Sequence, residues 1–327
     1  MIITKTPFRI SFVGGGSDLP AFFEKQKGAV LSTSINKYMY ISTHQYFEAD
    51  KIRCKYSQTE TVGHVNELKH PILKTVLSDF NLNGIEVSSI ADIPGGTGMG
   101  SSSSFTVGLL HNLNTYIEKE VSKEELSSGA CRIEIELLGE PIGKQDQYAA
   151  AYGGLNVIEF NPDGTVIVSP VNIIDEIRDQ LDLNLKLYYL GNQRSASAIL
   201  SEQKKNTSAE DKFMALEHMV SLVYKLRDSL EAGKLDDFGA LMHENWHLKQ
   251  QLASGITTPQ ITETYDAGLK AGALGGKLLG AGGGGFMLFY APAEAHKTLD
   301  IAMKNVGANP FEFLMETEGS KLIHVER

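Results

Sequence analysis

The period of the hydrophobic pattern changes along the chain, and each change marks a predicted element. Apolar and polar residues alternate over 9–13, 30–35, 39–44 and Leu155–Phe160, which predicts strands whose side chains face alternately inward and outward. Phe105, Leu109, Leu110, Leu113, Tyr116 and Ile117 recur at a spacing near ~3.6, so the segment opening Ser101-Ser102-Ser103-Ser104 predicts a helix with one face in the core. A second helix is predicted over 122–138: Ser122-Lys123-Glu124-Glu125 has the form of a capping box, and Leu126, Ala130, Ile133 and Leu137 share a face. The turn cluster Asn161-Pro162-Asp163-Gly164 then interrupts the pattern. Beyond it come a β-type run at 185–190, amphipathic helices over 209–252 and 259–271, and a continuous apolar strand at Phe286–Tyr290. A helix near 294–305 and strands at 311–315 and Lys321–Val325 close the chain. The mixture predicts an α+β protein of two domains, residues 1–163 and a helix-rich 164–327 with an antiparallel sheet.

Composition narrows the partners. A formal charge of −10 argues against non-specific nucleic-acid binding and against an anionic membrane surface, so any anionic ligand must be held by local donors. Cys54 and Cys131 lack metal-ligand spacing and read as buried free thiols in a reducing compartment. The first residues, MIITKTPFRISFVGGG, alternate like a strand and lack the apolar core of a secretory signal, and no run has the length of a membrane span. These features predict a cytoplasmic protein with small-molecule partners, and they leave homo-oligomerisation open.

The chemistry is concentrated in glycine runs. In Pro94-Gly95-Gly96-Thr97-Gly98-Met99-Gly100-Ser101-Ser102-Ser103, glycines alternate with other residues and lead into hydroxyls at a predicted helix start. Glycines let main-chain N–H groups approach an anion, the helix N-terminus favours negative charge, and serine hydroxyls there cap the helix, bond phosphate or ligate Mg²⁺. Other phosphate motifs fail on spacing or context. No G-x-x-x-x-G-K-[ST] exists, since Lys144 precedes Gln145 and Lys277 precedes Leu278. Gly280-Ala281-Gly282-Gly283-Gly284-Gly285 fits G-x-G-x-x-G but runs into a strand rather than a helix, which removes the dinucleotide reading. Asp237-Phe238-Gly239 matches a protein-kinase triplet without the accompanying catalytic loop and reads as coincidence inside a helix.

Three segments taken together carry a resemblance: Pro7-Phe8-Arg9-Ile10-Ser11-Phe12-Val13-Gly14-Gly15-Gly16-Ser17-Asp18-Leu19, the Pro94 loop, and Lys277-Leu278-Leu279-Gly280-Ala281-Gly282-Gly283-Gly284-Gly285. In this order they resemble the three motifs of the GHMP kinases, over nearly the whole chain. With Pro141-Ile142-Gly143-Lys144-Gln145-Asp146-Gln147-Tyr148, the first motif is similar to the heptose 7-phosphate kinases of that superfamily. The resemblance implies a two-domain fold, with an N-terminal ATP-binding α/β domain of the ribosomal protein S5 domain 2-like type and a C-terminal ferredoxin-like domain of helices and antiparallel sheet. It also implies phosphoryl transfer from ATP, with Mg²⁺, to the anomeric hydroxyl of a heptose 7-phosphate in nucleotide-activated heptose biosynthesis. A fucokinase-like sugar 1-kinase is the alternative, and a non-catalytic sugar-phosphate sensor is a third.

The implied roles combine chemistry with that resemblance. Main-chain groups over 96–101, within the loop Pro94 to Ser103, cradle ATP, and Gly282 and Gly283 pass close to the phosphates. Ser102 and Glu134 hold Mg²⁺, a hard cation suited to hydroxyl and carboxylate oxygen. Glu136 is the rival carboxylate; residues two apart on a helix do not share a face, so at most one points into the site, and the resemblance to the galactokinase pattern of a glutamate twelve positions before the aspartate selects Glu134. Asp146 is the expected base, Arg9 lies near the transferring phosphate, and Lys144 stabilises charge on Asp146 or on a phosphate. Gly15, Gly16, Ser17 and Asp18 face the sugar; Gly15-Gly16-Ser17 replaces the Glu-His-Thr of galactokinases, which argues against galactose. Arg194 and Ser195, after the strand run at 185–190, are the candidate second anion site for an acceptor phosphate. Trp246 and Lys249, about a helical turn apart, are placed in the sugar pocket or, for the Trp, in the core.

Overall fold

A computed structural model describes residues 1–191 and 196–326; Arg194 and Ser195 lie outside the described residues. The expected α+β organisation is present as two sheets. The large sheet is built on β1 (Ile2–Val13) and β2 (Gly28–Gln45), and takes in β3 (Ile52–Lys55), β4 (Thr59–Val62), β5 (Ile85–Ala91), β6 (Leu155–Phe160) and β7 (Val166–Pro170). The smaller sheet has the order β11 (Asn309–Phe311), β8 (Leu185–Tyr189), β10 (Phe286–Tyr290), β9 (Gly275–Leu278), antiparallel throughout. The chain then returns, and β12 (Met315–Glu316) and β13 (Lys321–Val325) pair with β2 and β1 of the large sheet. Strands on both sides of residue 163 therefore complete the first sheet.

Several expected boundaries shift for identifiable reasons. The strands expected at 30–35 and 39–44 are one strand: Phe8 pairs with Ile35 but Pro7 with Tyr38, so Asn36 and Lys37 bulge out of a continuous ladder. Asn36 is held there by Leu314, exchanging main-chain and side-chain hydrogen bonds with it. The strand expected at 311–315 is two, because the chain leaves the small sheet after Phe311 and joins the large one at Met315. Alternation cannot say which sheet a strand enters. The capping box at Ser122 and Glu125 forms as expected, but the helix it starts ends at Cys131 and continues as a π-helix, Arg132–Leu137.

Phe12 of β1, Phe238 at the start of the Phe238–Gln250 helix and Tyr290 of β10 join the two sheets. Their rings lie 5.2 Å and 4.9 Å apart in succession. Phe238 is fully buried and a Cβ on Gly239 would lie 2.6 Å from Leu274 Cβ, so the kinase-like triplet is core packing. Both cysteines are buried and free, and no helix among the described residues is long and apolar enough to cross a membrane.

Candidate active site

The Pro94 loop is shaped by its glycines. Gly96, Gly98 and Gly100 adopt φ of 76°, 82° and 75°, while Thr97 and Met99 between them stay at negative φ. Positive φ at every second residue is a conformation that glycine enters without strain, and such alternation is compatible with main-chain N–H groups approaching an anion. Thr97 and Met99 are buried, with Thr97 Oγ1 donating to Pro94 O at 3.0 Å, so those two residues offer the cavity only main chain. Gly100 is the N-cap of the Ser101–Tyr116 helix and makes no side-chain cap bond. The serines do not cap the helix as expected. Ser102 and Ser103 donate to Glu134, and Ser104 donates to Pro7 O, so the first-turn N–H groups remain available to an anion.

The third glycine run packs against this loop, backbone on backbone. A Cβ on Gly280 would lie 2.4 Å from Gly98 Cα, and one on Gly285 would lie 2.3 Å from Thr97 O. Gly280 and Ala281 line a cleft of about 200 Å³ together with Gly96, Gly98 and Gly100. Gly282 and Gly283 turn away: a Cβ on Gly282 would lie 2.6 Å from Ile256 Cα, and Gly283 N donates to Ile256 O at 3.0 Å. The expectation that they pass close to the phosphates thus meets a structure in which they pack on Ile256 and are not among the residues lining the cleft.

Beside the loop, Arg9 of β1 and Asp146 of the Gln145–Tyr152 helix form a two-point ion pair, Nε and Nη2 each 2.7 Å from a carboxylate oxygen. Arg9 Nη1 donates to Gly98 O at 2.8 Å, which ties the pair to the loop. Lys144 is not part of it. Its ammonium donates to Gly164 O at 2.8 Å and sits over the Phe23 ring, so the expected support of Asp146 comes from Arg9 instead. Glu134, fully buried in the π-helical turn, accepts from Ser102, Ser103 and Gln147, and burial raises its carboxyl pKa against those bonds. Glu136 is exposed, so only one of the two glutamates turns inward, as residues two apart on a helix should.

The model of the GHMP kinases N terminal domain matches residues 66–154, and that of the GHMP kinases C terminal domain matches residues 226–306. A D-glycero-alpha-D-manno-heptose 7-phosphate kinase from Campylobacter jejuni is 28% identical over 98% of this chain and 98% of its own length. The chain belongs to the GHMP kinases. Among relatives of known structure, a D-glycero-D-manno-heptose 1-phosphate kinase from Bacteroides thetaiotaomicron superposes over 100% of both chains with a TM-score of 0.82 at 23% identity, a likeness of fold. A putative sugar kinase from Campylobacter jejuni has a TM-score of 0.78 at 26% identity, over 99% of this chain and 98% of its own. The enzyme is thus an ATP-dependent phosphotransferase with the two-domain GHMP kinase fold.

In this GHMP kinase the rest of the cleft is made of side chains. Gly15, Gly16 and Asp18 line it, but Ser17 is consumed by the turn, its hydroxyl donating to Gly14 O and Ala29 O and accepting from Ala29 N. Asp18 accepts from Gly16 N and Gln145 N at 3.0 and 3.3 Å. Burial, then repulsion from Asp146, raises its pKa. Gly143 admits this carboxylate, since a Cβ there would lie 1.9 Å from Asp18 Oδ2. Trp246 is fully buried beside Tyr265 and does not line the cleft, whereas Lys249 does.

Lys277 was not singled out from the sequence, and it is the second buried ammonium facing the same space. Lys249 donates to Gly280 O and Lys277 to Ser11 O at 2.7 Å, which leaves each with donors to spare. Burial, followed by repulsion from Arg9, pushes Lys249 down to about 8; burial, then Lys249 and Arg9, push Lys277 well below its ordinary value. One signal was available: a lysine inside the otherwise apolar strand Gly275–Leu278 must find a polar purpose once buried.

Proposed function

We propose that this enzyme transfers the γ-phosphoryl group of ATP to the anomeric hydroxyl of D-glycero-D-manno-heptose 7-phosphate, giving the 1,7-bisphosphate for nucleotide-activated heptose synthesis in the cytoplasm. The observation that carries the reading is the Arg9–Asp146 pair, tied through Arg9 to the glycine loop and opening onto the acceptor side of the cleft. The acceptor identity is supported by full-length similarity to the Campylobacter jejuni heptose 7-phosphate kinase.

In this reading, N–H groups of 96–101 and the helix N-terminus hold the ATP phosphates. Arg9 orients the Asp146 carboxylate, whose oxygens keep lone pairs free to accept the proton of the attacking hydroxyl. Asp18 binds sugar hydroxyls, and Lys249 and Lys277 offer N–H donors where phosphate oxygens gather, whose negative charge would favour the protonated lysines against the cost of burial. Ser102 and Glu134 fit Mg²⁺, since both present hard oxygen donors in mutual contact beside the loop. Ser102 and Glu134 would hold the cation, which would supply charge neutralisation to the phosphoryl groups.

A second reading is a fucokinase-like enzyme, favoured by 29% identity over 78% of this chain to part of the L-fucokinase/L-fucose-1-P guanylyltransferase of Bacteroides fragilis, 27% of that protein. The test is ADP release with heptose 7-phosphate, heptose 1-phosphate, mannose 6-phosphate, L-fucose and galactose, with the product's new phosphorus located by NMR. Turnover of the 7-phosphate with phosphorus coupled to the anomeric proton is expected. Preference for an unphosphorylated sugar replaces this reading with the second.

A further inference from the structure

Three polar atoms in the cleft lack partners. Ser11 Oγ, Gln145 Oε1 and Gln203 Nε2 are buried without a hydrogen bond among the described residues, and all three residues line the cleft. They come from separate elements: Ser11 from β1, Gln145 from the start of the Gln145–Tyr152 helix, Gln203 from the Ala196–Asn206 helix. Yet they surround one turn. A Cβ on Gly15 would lie 3.8 Å from both Ser11 Oγ and Gln145 Nε2, and a Cβ on Gly16 would lie 2.2 Å from Gln203 Nε2. Gly16 leaves the room that the Gln203 amide fills, and Ser11 and Gln145 lie at van der Waals distance from Gly15.

A buried polar atom without a partner destabilises the protein, and convergence of several at one place calls for a ligand that completes them. Ser11 is 7% and Gln203 2% exposed, so bulk water does not satisfy them. Their complement is specific: an amide N–H donor, an amide oxygen acceptor, and a hydroxyl able to do either, beside the Asp18 acceptor. Hydroxyl groups answer all of these, because each donates and accepts. An aliphatic acid bearing one hydroxyl has no donor left for Gln145 Oε1 once that hydroxyl is the group phosphorylated.

We infer that Ser11, Gln145 and Gln203 form a polyol-recognition site around the Gly15–Gly16 turn, which binds ring hydroxyls other than the one phosphorylated and selects sugars over mono-hydroxy acids. This rests on the acceptor being a sugar, and it adds the groups that read it.

The decisive variant is Gln203→Leu, which keeps volume and removes the orphan amide. With heptose 7-phosphate, the acceptor KM is expected to rise about 10- to 100-fold while the KM for ATP stays unchanged. The melting temperature of the ligand-free protein is expected to hold or rise, since an unpaired buried group is gone. Ser11→Ala should raise the same KM by a smaller factor. Acceptors lacking single ring hydroxyls sharpen the assignment: the analogue missing the hydroxyl read by Gln203 should lose affinity for the wild type but no further affinity for Gln203→Leu. An unchanged acceptor KM, an equal loss toward ATP, or a lowered melting temperature overturns the inference. Activity only with an unphosphorylated sugar, still sensitive to Gln203→Leu, keeps it while removing the heptose-phosphate reading; activity only with a mono-hydroxy acid overturns both.

Discussion

Gly96, Gly98 and Gly100 present main chain to the cleft, whereas Asp18, Asp146, Lys249 and Gln203 present side chains to it from separate segments. The first group is fixed by local backbone geometry and by a glycine run stacked on it, so it offers the cleft main chain rather than side-chain chemistry. The second depends on where the β1–β2 region, the Gln145–Tyr152 helix and two later helices meet. It can be retuned one residue at a time without disturbing the first, which is how one scaffold comes to serve different acceptors.

Substitutions can test that division. Gly280→Val should have the largest effect, because its Cβ would lie 2.4 Å from Gly98 Cα at a backbone φ of 71°. Turnover should fall below detection and nucleotide binding should be lost, read by ADP release and by titration with a fluorescent ATP analogue; retained nucleotide affinity would break the comparison. Asp146→Asn acts on the second group: kcat should drop about 10²- to 10⁴-fold with the KM for ATP little changed. Wild-type turnover would leave positioning and charge neutralisation as the mechanism. Glu134→Gln should raise the Mg²⁺ concentration needed for half-maximal activity about 10- to 100-fold, measured by Mg²⁺ titration of the rate.

Lys249 gives a pH signature. A cation pushed down to about 8 is lost as pH rises through that value, so kcat/KM should fall on the alkaline side, and Lys249→Met should remove that limb along with much of the rate. The stability effect has the opposite sense. The unfolded chain binds the proton more tightly, so the buried charge destabilises the fold at neutral pH, and that cost fades as pH rises from about 8 toward 10.5. The variant should therefore melt higher than wild type at pH 7, with the gap narrowing over that window in thermal melts. The smallest effect is expected at Glu136→Gln, which should keep its rate within about twofold because an exposed side chain away from the cleft has little to lose.

Legibility in the sequence follows the same line. The helix after the glycine loop, the capping box at Ser122 and the strands Leu155–Phe160 and Phe286–Tyr290 were readable because each is set by local periodicity or capping. Helical spacing said only that Glu134 and Glu136 could not share a face; it took the resemblance to the galactokinase pattern to prefer Glu134, and the structure buries Glu134 against Ser102 and leaves Glu136 exposed. The partner of Asp146 was not: Lys144 is near in sequence, but it turns to Gly164, and the true partner Arg9 lies across the fold. Ser17 looked like a ligand contact and proved to be the turn's own fastener.

Local sequence made the glycine loop and the helix after it legible, since alternating glycines permit the positive φ values of 75–82° that Gly96, Gly98 and Gly100 adopt before a periodic helix, although the loop's final shape also rests on the distant run packed against it. Tertiary structure alone decided which side chains meet in the cleft. Burial of Lys249 and Lys277, the pairing of Arg9 with Asp146 and the meeting of Ser11, Gln145 and Gln203 at one turn all arise from contacts between residues far apart in the chain, which no local pattern encodes.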